Sequence, residues 1–197
     1  MSDAARCTIK IALDAARAKQ FASLLQHGFL QPVSGPVPIR DFLVGLPGFT
    51  PEYIESEVQT IFHNGVAADN LDDLLYAGDT LALSAAMPGL AGAIFRRAGV
   101  HASLRARVAE AAHEEPGREG FVLVKLYNQI GADRVGDVLR GGVRISGRAL
   151  AGFVRRREDL FGGATRLCAA EQRLADERFL EHLCTQEQVE LSTLPAG

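Results

Sequence analysis

Short alternating and apolar runs, separated by breaks rich in glycine and proline, dominate the chain and predict strands mixed with short helices. Thr8 to Leu13 alternates and is β-branched at Thr8, Ile9 and Ile11, which predicts a first strand. Phe21–Val37 mixes Phe, Leu and Val with Gly28 and Gly35 and reads as a second strand with irregular connections. Ile39–Val44 follows Pro38 and reads as a short helix, closed by Gly45 and the Leu46-Pro47-Gly48 turn, with a further helical turn at Pro51–Ile54. Val58–Phe62 predicts a strand that ends in His63-Asn64-Gly65-Val66, a strong tight-turn signal. Asn70–Leu75 reads as a helical turn, Ala77-Gly78-Asp79 as a turn, and Thr80–Ser84 as the next strand.

Beyond Gly89 the character changes. Ala91–Arg107 has helical spacing weakened by Gly92 and Gly99, and Glu114-Glu115-Pro116-Gly117 is the natural linker. Phe121–Tyr127 is the strongest strand in the chain, apolar at nearly every position, which predicts a central or covered place in a sheet. Ala132–Leu139 and Ala149–Arg157 read as helices on either side of a short strand at Gly142–Ile145. Thr165–Leu183 reads as the longest amphipathic helix, with Leu167, Ala170, Leu174, Leu180 and Leu183 near helical spacing.

The stretch from Val58 to Gly92 carries a resemblance. Val58-Gln59-Thr60-Ile61-Phe62-His63-Asn64-Gly65, then Leu71-Asp72-Asp73-Leu74-Leu75, Ala77-Gly78-Asp79-Thr80-Leu81-Ala82-Leu83 and Met87-Pro88-Gly89-Leu90-Ala91-Gly92 run in the order of a MoaD/ThiS-type ubiquitin-like β-grasp. Residues 7–92 are the extent of the resemblance, with Thr8–Leu13 as first strand and Ile39–Val44 in the place of the grasp helix. It implies an α+β fold: a β-grasp mixed sheet over 7–92, then a helix-rich C-terminal part, 93–197, with one added strand. In these sulfur carriers the last glycine of a terminal Gly-Gly is adenylated and thiocarboxylated. Here the corresponding place, Gly89-Leu90-Ala91-Gly92, is not Gly-Gly, and chain continues beyond it, so carrier chemistry would require cleavage near Gly89 or Gly92. A fold does not bring its chemistry with it.

Composition narrows the classes. At 197 residues, 47% hydrophobic and 23% charged, the chain buries a sizeable core and is too apolar for disorder. The net charge of −3 calls for neither nucleic acid nor membrane, but its distribution is uneven: residues 1–90 and 158–197 are acidic, and residues 91–157 hold 13 of the 21 basic side chains. The commoner origin of such a pattern is docking of oppositely charged segments on one another; the sharper alternative is an anion-binding surface at Arg96, Arg97, Arg105, Arg155, Arg156 and Arg157. Few aromatic residues accompany these arginines, which disfavours RNA or DNA as the partner. Cys7, Cys168 and Cys184 are odd in number and lack a CxxC pair, which points to reduced thiols and, without an apolar leader or a stretch fit to span a bilayer, to a cytoplasmic protein with no membrane contact.

No catalytic constellation emerges. Ser84, Ser103, Ser146 and the cysteines lack a nucleophile elbow, and neither phosphate-loop motif occurs. Gly162-Gly163-Ala164-Thr165 reads as the N-cap of the helix it precedes rather than as an anion site. His182, Cys184, Cys168 and His113 are the nearest approach to a metal set, but His182 and Cys184 are two apart and diverge on a helix. His63 reads as a surface residue beside its turn, and Asp69, Asp72, Asp73 and Asp79 as turn and cap residues. No cofactor or metal is called for. The uncharged, glycine-rich segment around Met87, Pro88, Gly89, Leu90 and Gly92 is the candidate contact surface for a protein partner or a second copy of the chain. The sequence therefore reads as a non-catalytic, protein-binding β-grasp module. The alternatives are a sulfur carrier activated by proteolysis and a nucleic-acid-binding module working through the arginine-rich middle.

Overall fold

The computed structural model describes residues 7–12, 15–97, 99, 119–157, 160 and 177–194. In chain order the elements are β1 (Cys7–Ala12), α1 (Ala15–Gln20), α2 (Ala22–Leu25), β2 (Phe29–Val33), β3 (Val37–Pro38), α3 (Ile39–Val44), α4 (Pro51–Ser56), β4 (Thr60–His63), β5 (Val66–Ala67), β6 (Leu74–Leu75), β7 (Thr80–Ser84) and α5 (Gly89–Phe95). They continue with β8 (Gly120–Leu126), α6 (Asn128–Gly141), β9 (Val143–Ile145), α7 (Gly147–Arg155), α8 (Glu177–Thr185) and β10 (Val189–Leu194).

Eight strands form one mixed sheet in the order β1-β10-β9-β2-β8-β7-β4-β5, and β3 pairs with β6 in a separate two-stranded ribbon. β1 runs parallel to β10 and β7 parallel to β8; the other neighbours in the large sheet are antiparallel. The side-chain period of two sorts this sheet into two faces. Registers such as Ile9 with Leu191, Phe29 with Val124, Leu81 with Val124 and Ile61 with Leu83 place buried residues on one face from edge to edge. That face is covered by helices: α6 packs on α1, α2, β7 and β10, and α7 on α2 and α8. Full burial of each large apolar side chain contributes about 1.5–3 kcal/mol. One core results, running from Ile9 through Phe21, Phe42 and Val124 to Leu191.

On the opposite face stand Thr8, Lys10, Glu190, Arg144, Leu30, Phe121, Leu123, Lys125, Thr80, Ala82 and Phe62, nearly all half-buried or exposed. This side of the sheet is where the remaining chemistry of the chain is displayed.

The mixed α and β character expected from the sequence holds, but its assembly differs. Among the described residues beyond 92, β8 and β9 fall where strands are expected at Phe121–Tyr127 and Gly142–Ile145, but all of β8, β9 and β10 join the large sheet, where one added strand was expected. The early strand expected to belong with Thr60–Ser84 sits at the far edge of the sheet, and β8 takes the place beside β7. Its partner β10 ends a segment whose short alternation after Gln188 is easily read as a tail. Asn70–Leu75 is a turn running into β6 rather than a helical turn, because Asn70 folds back on Asp72 and Asp73: its Oδ1 accepts from the Asp72 N–H at 3.1 Å and its Nδ2 donates to Asp73 Oδ1 at 2.9 Å. α6 begins at Asn128, four residues before the expected start, and is the longest helix among the described residues. Phe21–Val37 holds α2 before β2, and α1 precedes it. Of Thr165–Leu183, only the part from Glu177 lies within the described residues, as does only the start of Ala91–Arg107; Glu114–Gly117 and Gly162–Thr165 lie outside them.

The junction between α7 and α8 tests the packing. A Cβ on Gly147 would collide with the carbonyl oxygens of Leu183 and Gln186, whereas one on Gly136 in α6 meets nothing. Gly147→Ala is expected to destabilise the protein by about 1–3 kcal/mol. Gly136→Ala should stabilise it by roughly 0.5–1 kcal/mol through helix propensity. Urea unfolding followed by circular dichroism measures both.

Candidate functional site

A cleft of about 810 Å³ lies on the open face, lined by Phe62, Asn64, Gly65, Thr80, Ala82, Leu83, Ser84, Met87, Lys125, Tyr127 and Asn128. Its floor is β7 with β4 and β8 on either side, since Phe62 stands opposite Ala82 and Ala82 opposite Lys125. The size falls within the range of sites that hold a small ligand or a few peptide residues.

One end is built by the Asn64-Gly65 turn. Both residues have positive φ, +50° and +82°, the geometry a two-residue hairpin with right-handed twist requires. The turn is fixed by Asp79, which is 4% exposed. Its Oδ1 accepts from Asn64 Nδ2 at 2.8 Å, and its Oδ2 accepts from the Tyr76 N–H at 2.8 Å and contacts His63 Nε2 at 2.8 Å. Asn64 in turn accepts from the Thr80 N–H at 2.8 Å, and its own N–H donates to Thr80 O at 2.9 Å. Burial pushes the Asp79 carboxyl upward, but the hydrogen bonds from Asn64, Tyr76 and His63 outweigh it, and the net shift is downward. His63 is thus not a free surface residue: 19% of its side chain is exposed, and the buried carboxylate holds it.

At the other end β8 passes into α6 through Tyr127 alone, and Asn128 takes φ +50° to make the bend. The Tyr127 N–H donates to Leu83 O at 2.8 Å, and Asn128 Nδ2 donates to the buried Ser84 hydroxyl at 2.9 Å. Phe62 forms a wall packed on Phe95 of α5, the rings tilted by 57° with centroids 5.3 Å apart. The lining contains no carboxylate, and Lys125 makes no ion pair among the described residues. The result is a mainly apolar trough whose one charge among the described residues is positive.

A second pocket of about 240 Å³ adjoins it, lined by Gln59, Thr60, Ala86, Met87, Gly92, Ala93 and Arg96. Met87 lines both, and Thr60 of the small pocket is the register partner of Ser84 in the larger one.

The segment expected to make partner contacts is therefore divided. Met87 separates the two pockets. Pro88 is the N-cap residue of α5, Gly89 begins that helix with φ +71°, and Leu90 continues it. Gly92 is buried, and a Cβ there would collide with the Met87 carbonyl, so glycine at this position serves a close backbone approach.

The arginines proposed to form one surface lie on different elements with different partners. Arg97 is 11% exposed and is tied to α4, its Nη2 donating to Ile54 O and Glu55 Oε2, both at 3.2 Å. Arg155, at the end of α7, pairs with Glu177 at the start of α8, which raises its pKa. Arg96 and Arg156 are exposed, Arg157 is half-buried, and Arg105 lies outside the described residues. Together with Arg144–Glu190 at 3.4 Å, these contacts join the basic middle to the acidic segments on both sides. Among the described residues no three His, Cys, Asp or Glu side chains converge as a metal site would require; Cys168 and His113 lie outside them. No helix of the described residues is long and apolar enough to cross a membrane.

Lys125 and Tyr127 lie outside the site residues expected from the sequence. Their signal was parity: Phe121, Leu123, Lys125 and Tyr127 alternate with the buried Val122, Val124 and Leu126, so the one charge in the strand has to face outward. No protein-family model, no curated protein sequence and no solved structure matches the chain.

Loss of the Asp79 carboxylate would leave the buried Tyr76 N–H and the Asn64 amide without their acceptor. Asp79→Ala is expected to cost about 2–3 kcal/mol in urea unfolding at pH 7. Because the folded-state pKa is depressed, the contribution is present above the ordinary aspartate pKa of about 4 and is lost as pH falls through the folded value. The stability gap between wild type and Asp79→Asn should be constant between pH 5 and 7 and narrow below pH 4.

Proposed function

We propose that the chain is a non-catalytic protein-binding module and that the open-face cleft is its contact surface. The observation that carries this reading is the cleft itself: an apolar trough bounded by Phe62, Ala82 and Met87, with the Lys125 ammonium free of ion pairs among the described residues. A desolvated apolar centre with few polar groups is how binding surfaces generate affinity while orienting what they hold. In this reading the part of the chain that resembles the sulfur carriers is retained for recognition. Gly89 and Gly92 then shape the entry into α5 and do not supply a reactive end.

Ala82 stands in the cleft floor on the half-buried side of β7, so Ala82→Arg fills the trough without entering the core. Affinity purification of the full chain from its native host, with wild type and Ala82→Arg side by side, is the test. Proteins, including further copies of this chain, that are enriched on wild type and lost from the variant are expected. Identical sets on both baits would remove the cleft from the function, and Met87→Glu serves as a second variant should Ala82→Arg unfold.

A further inference from the structure

Lys125 and the hydroxyls along the cleft can all donate to an acceptor. Lys125 supplies a cation, the Tyr127 and Thr80 hydroxyls have no hydrogen-bond partners among the described residues, and Ser84, which accepts from Asn128, still has its own proton to donate. Among the described residues no carboxylate lines the cleft to answer them. A ligand that complements this set carries a negative charge and an apolar group to lie against Phe62, Ala82 and Met87.

The adjoining pocket asks for the opposite. Gln59 lines it, and Gln59 Oε1 is buried without a hydrogen-bond partner. The Gln59 backbone is already paired, its N–H donating to Ser84 O at 3.1 Å and its carbonyl accepting from the Arg97 N–H at 2.7 Å, which leaves the side-chain oxygen as the acceptor without a partner. A buried acceptor of this kind is complete only when a donor arrives.

A ligand satisfying both pockets has a terminal anion, an apolar group next to it, and an N–H further along, on the far side of Met87. A polypeptide ending in a free carboxylate has these groups in this order. We infer that the cleft recognises the C-terminus of a partner polypeptide, its last side chain apolar, its α-carboxylate paired with Lys125 and an upstream backbone N–H donated to Gln59. This rests on the reading of the cleft as a contact surface and narrows it to one end of one chain. Capture of a chain terminus by fixed donors is an established mode of peptide recognition, and here a lysine supplies the charge.

Two fluorescein-labelled hexapeptide pools test it by anisotropy against the full chain. Both carry randomised residues at the first five positions and Leu or Phe last; one ends in a free carboxylate, the other in an amide. The carboxylate pool should bind at least tenfold more tightly, the ratio falling as salt is raised. Lys125→Met should bring it down to the amide pool, Lys125→Arg should retain most of the difference, and Gln59→Leu should weaken both pools. Equal affinity of the two pools, or no binding of the carboxylate pool at 1 mM peptide, overturns the proposal. So does a phenylalkanoate that displaces the tracer as well as unlabelled peptide, because it would make the site one for small acids. Loss of partners from Ala82→Arg alongside equal binding of the pools would leave the cleft as a contact surface and refute only the terminal carboxylate.

Discussion

The Asp79 carboxylate connects three parts of the chain that no local propensity brings together. Through Asn64 it sets the hairpin between β4 and β5, and through the Tyr76 N–H it closes the loop that leads into β7. The main-chain carbonyl of Asp79 accepts from the Leu123 N–H at 2.8 Å, while the neighbouring Gly78 N–H donates to Phe121 O, so the same loop anchors the start of β8. Parallel strands cannot be joined by a tight turn. The β7–β8 pair therefore depends on a register device outside the strands, and this buried anion with its ring of donors is placed to serve as one. Burying a charge is costly unless every lone pair finds a donor, which is why the surrounding residue types are so specific: an asparagine at the positive-φ turn position, a glycine after it, and a histidine before it.

Much of this was legible in the sequence because it is local. The Asn64-Gly65 signal, the Thr80–Ser84 strand and the Ile39–Val44 helix follow from turn chemistry and short-range patterning. So does the interior position of Phe121–Leu126 in the sheet, although only the Val122, Val124 and Leu126 face is buried. What was not legible is pairing. Nothing in Thr8–Leu13 states that its neighbour is Val189–Leu194 instead of the Thr80 strand, since both choices satisfy the same alternation. The cleft was hidden for a related reason: Ala82, Lys125 and Phe62 come from three separated segments, and only the register places them in one row. Met87 was singled out from its uncharged surroundings, but its place between two pockets belongs to the fold.

The charge pattern is a case where the milder reading of the sequence is the one the contacts display. Arg97 with Glu55, Arg144 with Glu190 and Arg155 with Glu177 each link the basic middle to an acidic flank. The glutamates of these pairs are well exposed, and such contacts contribute little individually. Their effect is on arrangement more than on stability: they favour the docking in which unlike segments meet, and disfavour packings that would juxtapose arginines.

The pairing of β1 with β10 also has a consequence for how the molecule comes to exist. The strand from Cys7 to Ala12 is made early, yet its sheet partner, Val189–Leu194, is among the last parts of the described chain to be made. During synthesis, Ile9 and Ile11 lack this sheet neighbour until the chain has been made through Val189–Leu194. Contacts this distant in sequence slow folding and leave apolar strand surface open in the interval. A nascent chain halted anywhere before residue 189 would carry an unsatisfied strand edge near its start. The ribosome therefore delivers a sheet that cannot be completed until β10 arrives, with Lys10 as the charged residue on that waiting edge to oppose premature pairing.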